Sequence, residues 1–220
     1  MTGPTALLGI AYEDLSSLLS ALTEDEGWQP TGCAGWTPVD LGFHLLGDAR
    51  RALVALATPA TAPADTDAVS YWTAWRPPSP GDDDELWSTR IAASTQGGLA
   101  AIAERYAETA AAVVVAAGRV GATDRVRTQG RVLTVADLLS TLVVEAAVHH
   151  LDLVAHLDRP GPADEPLAEV RRVLEGLAPG PLPPRWDDVT AARRGTGRER
   201  LSAADRLELG PGAARFPLFG

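Results

Sequence analysis

Lysine and asparagine are absent from the 220 residues, and cysteine occurs once, at Cys33. A single cysteine excludes any intrachain disulfide and fits a reducing compartment, so a cytoplasmic location is expected. No uninterrupted apolar run approaches the roughly 20 residues that a membrane-spanning helix needs. The first 22 residues have no basic group ahead of their apolar stretch and carry Glu13 and Asp14, unlike a secretory signal. All 19 basic residues are arginine, and 29 acidic residues outweigh them to a net charge of -10. That balance excludes a general nucleic-acid binder, which needs a basic face to replace phosphate counterions. It also disfavours anionic membrane surfaces. The expected partner is a small-molecule substrate, with no nucleic acid and no membrane, in a monomer or homodimer.

What is present is an apolar chain, 45% hydrophobic, with enough material for a real core. Leu7, Leu8, Ala11, Leu15, Leu18, Leu19 and Leu22 recur at helical spacing and predict a first helix over residues 5–23. Thr37-Pro38-Val39-Asp40 reads as a helix start, with Thr37 as N-cap, Pro38 in the first position and Asp40 closing an acidic capping box. This second helix should run to about Leu56. Residues 57–83 read as a long loop in which Tyr71, Trp72 and Trp75 either pack or cover a substrate. A third helix is predicted from Asp84 to Ala117, kinked at Gly97-Gly98. Residues 125–133 alternate around Gly130 and predict a short hairpin. Thr134-Val135-Ala136-Asp137 then opens the most apolar helix, expected to reach Leu157, and a fifth helix follows from Pro166 to Leu177. Ser202-Ala203-Ala204-Asp205 offers one more short start. The expected organisation is a helical bundle over residues 1–160, with residues 161–220 as an extension packed on it.

The apolar fourth helix carries a polar stripe. With about 100° per residue and Glu145 as zero, His149 falls near +40°, Asp152 near -20° and His156 near +20°. A Glu and a His four residues apart are neighbours on a helix face and can reach one ion together. His44, two turns into the second helix among Leu41, Phe43, Leu45 and Leu46, is the best third donor. His150 should point elsewhere, about 100° from His149. Buried charges need partners, and a metal is only one kind. The spacing alone therefore leaves two readings open: a metal site, or hydrogen-bonded core groups. The His-Glu-x-x-His signature of zinc proteases and the paired Glu-x-x-His repeats of di-iron bundles are both absent, and Gly195-Thr196-Gly197-Arg198 lacks the length and the lysine of a phosphate-binding loop.

Two stretches, Cys33-Ala-Gly-Trp36-Thr-Pro-Val-Asp40-Leu-Gly-Phe-His44-Leu-Leu-Gly47 and Leu138–Leu153 with its Glu145-Ala-Ala-Val-His149-His150-Leu-Asp152-Leu, resemble the mycothiol-dependent maleylpyruvate isomerase family, within the DinB/YfiT-like superfamily. The tail from Gly195 to Leu201 and from Ala214 to Leu218 is similar to the ends of family members. The resemblance implies an all-α fold, a four-helix bundle of up-down-down-up type. It also implies one divalent metal, usually zinc, held by residues that fall here on His44, Glu145 and His149. Nickel, iron and manganese also suit such donors. The chemistry implied is isomerisation or S-transfer with mycothiol.

Three ligands leave an open position, as catalytic sites do. Asp152 would then support a ligand from behind, and Asp48, one turn after His44, would lie near the ion. Arg50, Arg76 and Arg198 are candidates to hold a substrate carboxylate. Cys33 reads as a small packed residue with no adjacent base. Competing expectations are a non-catalytic metal- or ligand-binding bundle, and a thiol-independent metal hydrolase or cyclase in a biosynthetic pathway.

Overall fold

Capping and turn chemistry start the elements where the local sequence calls for them. A computed structural model describes residues 2–74 and 84–219; Trp75 and Arg76 lie outside the described residues. The order is α1 (Pro4–Ala21), α2 (Pro38–Leu56), α3 (Asp84–Ser94), α4 (Leu99–Ala117), β1 (Arg125–Thr128), β2 (Arg131–Thr134), α5 (Val135–Leu153), α6 (Asp164–Leu177), α7 (Asp188–Gly195) and α8 (Ala203–Leu209). At α2 the Thr37 hydroxyl accepts the Asp40 N–H, and the Asp40 carboxylate accepts the Thr37 N–H at 2.9 Å, so two otherwise orphaned donors are satisfied together. Thr134 caps α5 in the same way, accepting the Asp137 N–H at 3.1 Å.

The four long helices α1, α2, α4 and α5 form a ring in which α1 touches α4 and α5, and α2 touches the same two. Leu8, Leu15 and Leu19 of α1, Leu41 and Leu46 of α2, Ile102 and Tyr106 of α4 and Leu139 and Val143 of α5 meet inside it, almost fully buried. The all-α class therefore holds, with the hairpin β1–β2 directly before the last bundle helix. Gln129 and Gly130 both take positive φ, 48° and 77°, the geometry of a two-residue turn whose twist suits a hairpin.

Three boundaries differ from expectation. The predicted helix from Asp84 to Ala117 is two helices, because Gly97 and Gly98 both sit in the left-handed region, at φ 87° and 89°, and end α3 rather than kink it. Helix α5 stops at Leu153 and not Leu157, so His156 leaves the stripe and is exposed. The short helix α7 was not expected at all. It is capped by Asp187, which accepts the Thr190 N–H at 2.7 Å, and buries only the small Ala191, Ala192 and Gly195.

Sixteen of the nineteen residues of α5 are buried, so it has no solvent face. Its Leu139, Leu142, Val143 and Ala146 belong to the bundle core. Its Val144, Ala147, Val148 and Leu151 belong to a second cluster with Leu167, Val170 and Leu174 of α6, Trp186, Tyr71, Trp72 and Phe219. Trp72 stacks on Phe219 with ring centroids 4.4 Å apart. The aromatic loop thus packs Trp72 into this cluster, and the preceding residues run along the hairpin, the Ala60 N–H donating to Arg125 O and the Asp65 N–H to Val132 O.

Candidate metal centre

The helix pitch brings Glu145 and His149 onto one face of α5, with Oε2 of Glu145 3.3 Å from Nε2 of His149. The contact between α2 and α5 adds His44, whose ring meets the His149 ring edge-on at 5.1 Å between centroids. One donor atom from each of His44, Glu145 and His149 lies within 4.8 Å of the others. Bonds of about 2.0–2.1 Å set adjacent ligand atoms of a tetrahedral ion roughly 3.3 Å apart, the separation at which Glu145 and His149 already stand. Two imidazoles and a carboxylate are a donor set that suits a divalent ion of the zinc type.

Asp48 lies beside this set. Its Oδ2 is 3.3 Å from Nε2 of His44, and its Oδ1 is held by Arg51. Burial raises the Asp48 pKa, but the hydrogen bond and charge of His44, with the charges of Arg51 and His149, outweigh it and hold the group ionised below its ordinary value. Trp36 covers His44, with centroids 5.1 Å apart. Beneath, Tyr12 packs edge-on to Tyr106 at 5.9 Å. Burial first, and then the charges of Asp48 and Glu145, push the Tyr12 hydroxyl well above its ordinary pKa, so it remains a hydrogen-bond donor. Nothing in the Leu-rich pattern of α1 distinguishes Tyr12 from ordinary core.

Asp152 is 1% exposed at its side chain and binds the opposite edge of His149, with Oδ2 3.0 Å from Nδ1. This contact fits Asp152 for support of a ligand from behind. Burial raises its pKa, and hydrogen bonds from His149 and Arg198 overcome that and hold it far below the carboxylate range. For His149, burial disfavours the charged ring, while hydrogen bonds with Asp152, Cys33 and Glu145 reverse this and lift its pKa well above the usual value.

One expectation is corrected here. Cys33 is not a packed residue without a base nearby: its Sγ donates to Asp152 Oδ2 at 3.2 Å and lies 3.7 Å from His149 Nδ1. Cys33, His149 and Asp152 form a second three-donor group. Arg198, a candidate to hold a substrate carboxylate, is engaged by Asp152. Its Nε donates to Asp152 Oδ1 at 3.0 Å and its Nη2 to Oδ2 at 2.9 Å. Neither contact has a spacing signal, because turns bring the partners together from distant parts of the chain. Arg50 is exposed and, six residues from His44, points about 120° away around α2. His150 points elsewhere as expected, with Nε2 3.1 Å from Pro160 O.

No match is found among curated proteins or among solved structures. Residues 8–154 match the family described as mycothiol maleylpyruvate isomerase N-terminal domain, a span that holds all of the bundle but the first turn of α1, and all three donors. The chain belongs to the mycothiol maleylpyruvate isomerase N-terminal domain family.

Proposed function

We propose that this protein is a divalent-metal-dependent enzyme that uses a mycothiol-like thiol for S-transfer to, or isomerisation of, a small electrophilic substrate. His44, Glu145 and His149 would hold the ion, zinc by preference. The observation that carries the reading is the convergence of these donors from α2 and α5 within the bundle of a mycothiol-associated family. When bound, the ion would supply Lewis acidity and favour the thiolate form of a coordinated thiol.

The chain's own residues prepare the site for this. Asp152 takes the Nδ1 proton of His149 as a hydrogen bond, which leaves Nε2 facing Glu145. Asp48 steadies the ring of His44. Trp36 shields that ring from water, and a drier site strengthens every charge interaction in it.

The test is metal analysis of protein purified without chelators, followed by incubation with mycothiol and a panel of electrophiles, in wild type and in His149→Ala. Stoichiometric metal and a thiol adduct or isomerised product, both lost in the variant, are expected. Metal-free wild type with full activity would overturn the reading. Turnover without any thiol would replace it with a metal hydrolase or cyclase, and metal binding without turnover with a non-catalytic bundle.

A further inference from the structure

His149 belongs to both three-donor groups, through Nε2 to the one with His44 and Glu145 and through Nδ1 to the one with Cys33 and Asp152. The two groups share one imidazole through its two nitrogens. The second has the chemistry of a metal site, a thiol, an imidazole and a carboxylate within 3.7 Å of one another. What distinguishes it is Arg198, whose guanidinium already forks onto both carboxylate oxygens of Asp152. A fixed cation there repels a second one.

The turn that delivers Arg198 is built for close fit. Gly195 ends α7 against Leu174, where an added Cβ would stand 2.6 Å from a side-chain methyl. The Thr196 hydroxyl donates to Ala192 O at 2.6 Å. Gly197 has φ 79° and packs under Pro217, and the Arg198 Nη1 donates to Thr196 O at 3.1 Å. The Gly-Thr-Gly-Arg stretch that fails as a phosphate loop is thus a mount for one guanidinium. It lies well beyond Val154, where the family match ends.

We propose that Arg198 is a selectivity and positioning residue: by occupying Asp152 it closes the Cys33–His149–Asp152 group to metal, and so directs a divalent ion to His44, Glu145 and His149. The inference rests on the metal reading above. With Arg198 in place, Asp152 is held as an acceptor for His149 Nδ1 and Cys33 Sγ, and the imidazole is presented from one side. Without it, a buried carboxylate, a thiol and an imidazole are left in contact with no guanidinium on the carboxylate.

Cobalt(II) distinguishes the two groups, because coordination by sulfur gives a strong near-ultraviolet charge-transfer absorption that nitrogen and oxygen ligands lack. Wild type, Arg198→Ala, Arg198→Lys and the double variant Arg198→Ala/Cys33→Ala would be titrated with cobalt(II), with apo-protein melting curves as folding controls. Wild type is expected to bind without the sulfur band. Arg198→Ala should show the band, and the double variant should lose it. Arg198→Lys keeps a charge but not the fork, and should bind cobalt roughly 10–100-fold more weakly than wild type. It keeps the test valid should Arg198→Ala not fold. A sulfur band in wild type, or unchanged spectra and affinity in the Arg198 variants, would overturn the proposal. Wild type that binds no cobalt or other divalent metal would instead remove the metal reading on which it stands.

Discussion

Gly32 and Asp152 meet with no room for a side chain between them. The Gly32 N–H donates to the Asp152 carbonyl at 2.9 Å, and a Cβ on Gly32 would lie 2.4 Å from the Asp152 carboxylate oxygen Oδ1. The turn before α2 is thereby docked on the end of α5, next to the carboxylate that holds His149. Gly32→Ala should force that carboxylate aside. Overpacking of this kind costs about 1–3 kcal/mol, so a lowered melting temperature is expected, accompanied by weaker metal retention against a chelator. An unchanged melting curve would mean that the contact relaxes freely.

Cys33 meets Asp152 and the Nδ1 edge of His149, on the other side of the ring from the Nε2 that faces Glu145. Cys33→Ala should therefore leave the metal content of the purified protein as it is in wild type, whereas Glu145→Gln should lower it. Elemental analysis of both variants decides the matter. Loss of metal in Cys33→Ala would place the ion at the sulfur.

Asp205 makes the tail sensitive to acid. It is fully buried at the third position of α8, where the Ser202 N–H, Trp186 Nε1 at 2.8 Å and Arg194 Nη1 converge on it together with Arg185. Burial raises its pKa, but hydrogen bonds from Ser202 and Trp186 and the charge of Arg194 outweigh this and bring it from 3.8 down to about 2. A depressed folded-state pKa means stability that is fully present above the unfolded value and fades as pH falls towards the folded one. Asp205→Asn should be less stable than wild type at neutral pH, and the gap should close between about pH 4 and pH 2. Urea denaturation across that range is the measurement, and a constant gap would contradict the assignment.

Trp72 is 3% exposed and stacked on Phe219, while Trp28 is 63% exposed. Trp72→Ala should cost about 3–5 kcal/mol, the range for truncating a buried aromatic. Trp28→Ala should stay within about 0.5 kcal/mol of wild type, as exposed positions do. Chemical denaturation of the two proteins tests the contrast.

The parts legible in the sequence are those governed by neighbours along the chain. The start of α2 at Thr37-Pro38-Val39-Asp40 and its end at Leu56 follow from capping residues and periodicity. Glu145 and His149 are a pair because helix pitch makes them one. His156 is misplaced because nothing local marks Leu153 as the last helical residue: Ala155 and Leu157 are good helix formers, and no Gly or Pro interrupts the run. The contacts of Arg198 and Cys33 are missed for another reason. Their roles depend on Asp152, 46 and 119 residues away, and only tertiary packing establishes those contacts. The glycine pair 97–98 announces a disturbance, but its severity depends on both residues turning left-handed at once.

Helix α5 is buried between two cores, and one of them is built largely from residues that follow it in the chain. During synthesis its Val144, Ala147, Val148 and Leu151 face remains uncovered until α6 and the Trp186 and Phe219 regions have emerged. The bundle that carries Glu145 and His149 is therefore completed from behind, by residues made after it. Arg198 is among them, so, on the metal reading proposed above, a chain truncated before it would present the Cys33 side of His149 without that guanidinium.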